Sequence, residues 1–428
     1  MKCNVDAGKT LLVDGPASID IVSGEVEVLA APMKVGTRII VREGKRIPLE
    51  VKSNASFEIM LGEGASYEEV EGSTIPENWI KTAREIVSEA SLKLRFVAAV
   101  MGEVDSGKTS FCTYLANTAI KEKLKVAIID GDLGQSDIGP PSTIGYSILK
   151  GHVKDLFDVN AEDAYFIGLT SPGAATKEVI EGLCKLKEKV MMEEVELVVV
   201  NTDGWVEGED AASYKLRLVD ALKPDAVVGI QQSDELLHIL SGIGGAKVYI
   251  IDSPSAIKKR DREKRKILRE LSYKKYLRGG KVQSFLINWI NLEGTLLGKG
   301  IQPSKERMRQ IESLLGVKPW YCEETQKTIL IVLGRGKWVA EENIRKLEEN
   351  IKKRIKIFRE GEETGLLVSL KDINGKFLGI GVLQGIDYKR RAIKIYTPVK
   401  EGIHTVHIGQ VKLDKEGKEI GICTIFTN

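Results

Sequence analysis

The chain has 428 residues, 43% of them hydrophobic and 29% charged, and a formal net charge of +2. That length exceeds what one hydrophobic core usually holds, so two or three domains of about 100–200 residues are expected. The near-neutral total excludes a uniformly basic polyanion binder, and any nucleic-acid contact must come from a local basic patch.

Five scattered cysteines, Cys3, Cys112, Cys184, Cys322 and Cys423, have no CxxC spacing, which argues against a zinc site or a disulfide framework and fits a reducing cytosol. The N-terminus lacks the apolar stretch of a signal peptide, and no apolar run approaches the roughly 18 residues of a membrane span. A cytoplasmic protein with no membrane contact is expected.

Up to about Val70, alternating and β-branched runs such as SIDIVSGEVEVLA and ASFEIMLG predict a small β-rich domain over residues 1–75. A GKT triplet at Gly8, Lys9 and Thr10 has no upstream glycine and no preceding strand, and reads as a turn. The segment STIPENWIKTAREIVSEASLKL then predicts a helix opened by a Thr-x-Pro start. Between Arg95 and Asp252, the runs RFVAAV, KVAIID, AYFIGLT, VELVVVNT, DAVVGIQ and AKVYIID alternate with segments long enough for crossover helices. That alternation implies a mostly parallel sheet covered on both faces. Beyond Gly279 the pattern returns to β, and His404 and His407 are expected on a strand.

The stretch GEVDSGKTS, made of Gly102, Glu103, Val104, Asp105, Ser106, Gly107, Lys108, Thr109 and Ser110, fits GxxxxGK[ST] between a predicted strand and a predicted helix. Glycines there let backbone N–H groups turn inward on phosphate oxygens, and the helix N-terminus adds partial positive charge. Lys108 is placed to reach the β- and γ-phosphates, and the Thr109 hydroxyl to ligate Mg²⁺. The fold class is therefore α/β, with a central P-loop NTPase domain over residues 76–300 and smaller β-rich domains at 1–75 and 301–428.

Asp130 and Asp132 sit at the end of a predicted strand, the edge where open parallel sheets bind ligands. Being two apart they face the same way, so one can hold the metal while the other accepts a proton from an attacking hydroxyl, with Gln135 nearby. Thr202, Gly204 and Trp205 fall just past another strand, where an indole can stack on a nucleobase. The densest basic stretch runs from Lys258 to Gly280, with Arg265 and Arg269 on one helix face, suited to closing over a triphosphate.

Taken in order, GEVDSGKT, DGDLGQ, NTDGWV and RKILRELSYKKYL, with a weaker GLTSPG containing Thr170, resemble the polynucleotide 5′-hydroxyl kinase family, in an archaeal type. Eukaryotic members act in pre-mRNA 3′-end, tRNA and ribosomal RNA processing. The resemblance implies ATP and Mg²⁺ as cofactors, Lys108 and Thr109 on phosphate and metal with Asp130 beside them, and Asp132 as general base. It also implies Gln135, Thr170, Thr202 and Trp205 at the substrate, Arg265 and Arg269 in a lid near 258–278, and 5′-hydroxyl RNA or DNA ends and RNA-processing proteins as partners. Leu277 stands where an aromatic is usual after Tyr276. Two other readings are an ATP-binding scaffold without turnover and a P-loop switch ATPase or GTPase. Glu103 replaces the early lysine of the partitioning ATPases, and no NKxD motif is present.

Overall fold

The computed structural model describes residues 1–424, and the chain divides into two compact units, Met1–Arg269 and Glu270–Asn428. In the first unit, residues up to Glu71 form two antiparallel sheets. One has four strands in the order Lys2–Val5, Ala55–Leu61, Ala17–Ser23 and Arg38–Val41. The other has five, in the order Ala31–Met33, Val26–Val28, Arg46–Val51, Lys9–Asp14 and Ser66–Glu71. The GKT triplet divides between a turn at Gly8 (φ +85°) and the start of the strand Lys9–Asp14.

The helix Glu77–Leu92 begins directly after Pro76, with no side-chain cap. It leads into a seven-stranded sheet whose parallel core reads Val126–Asp130, Leu197–Asn201, Phe96–Gly102, Ala226–Gln231 and Lys247–Asp252. All six strand-like runs are strands. A seventh, Thr143–Ile148, was not legible in the sequence; it pairs antiparallel with Val126–Asp130 and with Asp163–Phe166 at the sheet edge. Its Gly145 is needed because a Cβ there would stand 2.1 Å from the Ile138 carbonyl oxygen.

Alternation along the P-loop strand divides the core. Ala98 and Val100 face the helices Glu77–Leu92 and Lys108–Lys121 and share one cluster with the inner residues of the N-terminal sheets, such as Leu11, Ile19 and Phe57. Val97, Ala99 and Met101 face the helices Thr176–Met191 and Glu209–Leu222. The N-terminal β region is thus built onto one face of the nucleotide-type domain. Arg42 and Lys45, from the turn after Arg38–Val41, bond Asp137 at 3.0 and 2.8 Å. Arg42 also pairs with Asp155 and lies 3.7 Å over the Phe157 ring.

The second unit contains a mixed sheet in the order Lys281–Leu286, Ala392–Thr397, Phe377–Asp387, Leu366–Lys371, Thr405–Leu413 and Asn291–Glu293, with Glu419–Ile422 added to Thr405–Leu413. The domain boundary expected at 300 is displaced, because Lys281–Leu286 and Asn291–Glu293 are strands of this sheet. A three-stranded sheet, Tyr321–Glu324, Thr328–Leu333 and Arg354–Arg359, carries the helices Lys305–Leu315 and Glu341–Ile351. The C-terminal part is therefore β-rich with a small α/β element. His407 lies on Thr405–Leu413 and His404 just before it.

Asp137 is 4% exposed. Against the cost of that burial, Lys45 and Arg42 hold its carboxyl down to about 2. A depressed carboxylate contributes stability above its unfolded value and loses it as pH falls through the folded one. Arg42→Ala is expected to lower the unfolding free energy by about 3 kcal/mol at neutral pH, with the deficit narrowing below about pH 4, as read by urea titration at a series of pH values.

Candidate nucleotide and acceptor site

Three strand ends, those of Phe96–Gly102, Val126–Asp130 and Leu197–Asn201, lie side by side and bring the motifs to one edge. The loop after the first strand passes through Asp105 and Gly107, with φ of +60° and +102°. A Cβ on Gly107 would stand 2.8 Å from Ile257 and 3.3 Å from the buried Trp79 ring, so the turn is fitted to glycine. Trp79 in turn donates its indole N–H to the Asp252 carbonyl at 2.8 Å and packs edge-on against Phe111. Lys108 opens the following helix, and its Nζ donates to the Glu103 carbonyl at 2.7 Å, across the mouth of the loop. Burial pushes its ammonium below the ordinary lysine range.

Asp130 is fully buried and acts as a hub. Its Oδ2 accepts from the N–H groups of Asp137 and Ile138 at 2.7 and 3.2 Å, and its Oδ1 from Asp132 N at 3.3 Å and Asn201 Nδ2 at 2.9 Å. Burial first, then the charges of Asp137 and Asp132, push its carboxyl up to about 7. Asn201 also reaches Thr109 Oγ1 at 3.4 Å, tying the phosphate-loop helix to the acidic loop. Asp132 is half-buried. Its Oδ1 accepts from Gly134 and Gln135 N–H at 3.1 and 2.9 Å. Burial raises its pKa, Lys108 pulls it back and Asp203 pushes it further up.

The loop after the third strand end carries Thr202, Gly204 and Trp205. Trp205 is half-buried and stacks on Tyr214, centroids 5.7 Å apart with 23° between planes. Its backbone N–H donates to Asp203 Oδ1 at 3.0 Å. Asp203 Oδ2 accepts from Tyr214 Oη at 2.7 Å and lies 3.0 Å from Nζ of Lys215, a lysine with no exposed surface. Lys215 also donates to the Asp203 carbonyl at 2.8 Å and to Thr202 Oγ1 at 3.2 Å. Thr202, expected at the substrate, is fully buried with its hydroxyl donated to the Val100 carbonyl, and so supports the site from beneath.

Gly204 has no room for a side chain: a Cβ would meet Val104 Cγ2 at 2.6 Å and Val104 N at 2.8 Å. The Trp205 loop and the phosphate loop are therefore in backbone contact. Thr170 closes the other flank, its carbonyl 3.0 Å from where a Gly134 Cβ would lie, while Gly173 approaches the Trp205 ring.

The basic segment reaches the same place. Arg260 donates through its backbone N–H and its guanidinium to the Asp105 carboxylate, with Nε at 2.8 Å. Arg265 reaches Asp105 Oδ2 at 3.4 Å and the Arg260 carbonyl at 2.8 Å. Gln135 donates to the Arg265 carbonyl at 3.1 Å, joining the acidic loop to this segment. Arg269 lies one turn further along the helix Arg262–Leu277. Asn201, Lys215 and Arg260 escaped the sequence reading. Asn201 and Arg260 lie within motifs already noted, whereas Lys215 is hidden in an amphipathic helix.

A P-loop followed by a helix at the edge of a parallel sheet, with paired carboxylates on the adjoining strand, defines a P-loop nucleoside-triphosphate domain. Residues 102–279 match the protein family described as mRNA cleavage and polyadenylation factor CLP1 P-loop. The chain is 29% identical over 338 residues to the polyribonucleotide 5′-hydroxyl-kinase of Pyrococcus abyssi, covering 78% of this chain and 92% of that one. It is 28% identical over 357 residues to the protein of the same name in Methanocaldococcus jannaschii, covering 81% and 94%. A structure of wild-type Clp1p with a Pcf11p segment shares the fold, with a TM-score of 0.66 at 10% identity over 96% of this chain and 97% of that one.

Two substitutions probe this geometry. Gly204→Ala is expected to displace Val104 and weaken ATP binding about tenfold or more by calorimetry, a loss near 1.4 kcal/mol. Lys215→Met leaves the Asp203 carboxylate buried without its cation and should cost about 3–5 kcal/mol of stability. The double variant with Asp203→Asn should recover a substantial part of that loss in a urea double-mutant cycle.

Proposed function

We propose that the chain transfers the γ-phosphate of ATP to the 5′-hydroxyl end of RNA, with the acceptor held beside Trp205 and Asp132 as general base. The observation that carries this reading is the backbone contact between Gly204 and Val104, which sets an acceptor loop directly against a phosphate loop. The archaeal relatives named polyribonucleotide 5′-hydroxyl-kinase support the substrate class.

The residues divide the work by position. Backbone N–H groups of 102–109 and the N-terminus of the helix Lys108–Lys121 receive the phosphates. Lys108, released from the Glu103 carbonyl, turns its Nζ to the transferring group. Asp132 takes the proton of the 5′-hydroxyl, its raised pKa making it a stronger base than an ordinary carboxylate. The new bond forms between the 5′-oxygen and the γ-phosphorus as the bond to the bridging oxygen of ADP breaks. Arg265 and Arg269 offset the charge that develops, and Gln135 fixes the acidic loop against the arginine segment.

The donor set also fits Mg²⁺. Among the described residues no group of three or more His, Cys, Asp or Glu forms a protein cage. The Thr109 hydroxyl and the buried, unpartnered Oδ1 of Asn201 would hold a cation that keeps phosphate and water partners, with Asp130, whose carboxylate already takes four N–H bonds, behind them. Bound Mg²⁺ neutralises charge on the phosphate oxygens. Among the described residues no helix is long and apolar enough to cross a membrane, and free cysteines fit a cytoplasmic location.

Transfer of labelled γ-phosphate to a short 5′-hydroxyl RNA, and to its DNA counterpart, tests the reading. Lys108→Ala should abolish transfer. Asp132→Asn should lower kcat about 10²–10⁴-fold while ATP affinity holds. No transfer with ATP binding intact would sink the kinase reading in favour of a scaffold. Because the Asp132 pKa is raised, the acid limb of the kcat profile is expected at a higher pH than an unperturbed aspartate would give, with activity falling as the base takes up its proton.

A further inference from the structure

The net charge of +2 conceals two units of opposite sign. Residues 1–269 hold 34 Lys and Arg against 42 Asp and Glu, whereas residues 270–428 hold 29 against 19. Part of the C-terminal excess gathers at the hairpin joining Phe377–Asp387 to Ala392–Thr397, where Lys389, Arg390 and Arg391 follow one another and Lys394 comes three residues later. The Arg390 side chain is 85% exposed.

Beside this hairpin is an open hollow of about 310 Å³, whose lining includes Trp320, Gln384, Lys389, Lys394, Glu360 and Asp387. Trp320 is 49% exposed, and Lys389 Nζ stands 5.0 Å from its ring centroid. Next to Glu360 in the chain, Arg359 lies 3.7 Å over Trp338, an indole that is 73% exposed.

An exposed indole beside an ammonium group is poorly suited to the core of a protein interface, where lysine is depleted. It suits a single-stranded polynucleotide, which offers a π-face and a phosphate at every repeat. The volume lies at the small end of ligand pockets, enough for one base. Glu360 and Asp387 repel phosphate but accept hydrogen bonds from a base amino group. That assigns the base to the hollow and the phosphates to the hairpin.

We propose that Trp320, Lys389, Arg390 and Lys394 form a second single-stranded RNA site, separate from the phosphoryl-transfer site, in which a base stacks on Trp320 and the backbone follows the hairpin. Binding here needs neither ATP nor turnover, so its failure is distinguishable from failure of the kinase reading.

The test is fluorescence anisotropy of the full-length protein with a 3′-labelled, 5′-phosphorylated RNA of about 15 nucleotides, without ATP, over a range of salt. Trp320→Ala should raise Kd about tenfold, and Trp320→Phe should restore most of the affinity. Lys389→Ala with Lys394→Ala should reduce the slope of log Kd against log salt by about 1.4. Transfer to a 5′-hydroxyl dinucleotide should stay at the wild-type rate in all three variants. Wild-type Kd and slope in Trp320→Ala and in the double lysine variant would overturn the proposal and leave the hollow to a protein partner.

Discussion

The carboxylate of Asp130 is the fixed point from which the site is laid out. It is fully buried and accepts four N–H bonds from Asp132, Asp137, Ile138 and the Asn201 side chain. Through Asn201 it is tied to Thr109 on the phosphate-loop helix. Through Asp137 it is tied to Arg42 and Lys45 of the N-terminal sheets. A buried acceptor that loses a donor incurs a desolvation penalty of about 1–3 kcal/mol, so these attachments reinforce one another.

Other acids at this edge have cations of their own. Asp203 has Lys215, Asp137 has Arg42 and Lys45, and Asp105 has Arg260 and Arg265. Removing one cation leaves a desolvated charge, whereas replacing both partners by apolar groups can be nearly neutral. The N-terminal sheets therefore act on the site mechanically, since Arg42 and Lys45 hold the far end of the acidic loop. No residue of those sheets comes from a recognisable motif, which is why their role was invisible in the sequence.

What could be read from the sequence was local. The phosphate loop, the Asp130 and Asp132 pair and the NTDGWV turn each fit within a few residues, and the alternation of apolar runs located every parallel strand of the central sheet. Thr143–Ile148 was missed because Gly145 and Ser147 interrupt its apolar run, TIGYSI. The boundary near 300 moved because the strand Lys281–Leu286 finds its partner more than a hundred residues later. Lys215 could not be found by pattern, since its meaning comes from Asp203, a residue on another element. Trp205 packs on Tyr214 and is still half-exposed.

The contact of Gly204 with Val104 bears on what the enzyme can discriminate. A spacing set by side chains varies with rotamer and can be tuned to one ligand. Here main chain rests on main chain, and main chain has no rotamers to adjust. The spacing between the phosphate loop and the Trp205 loop is thus fixed by backbone at this point. On the proposed function, such a device measures a chain end by its backbone, whichever base that end carries.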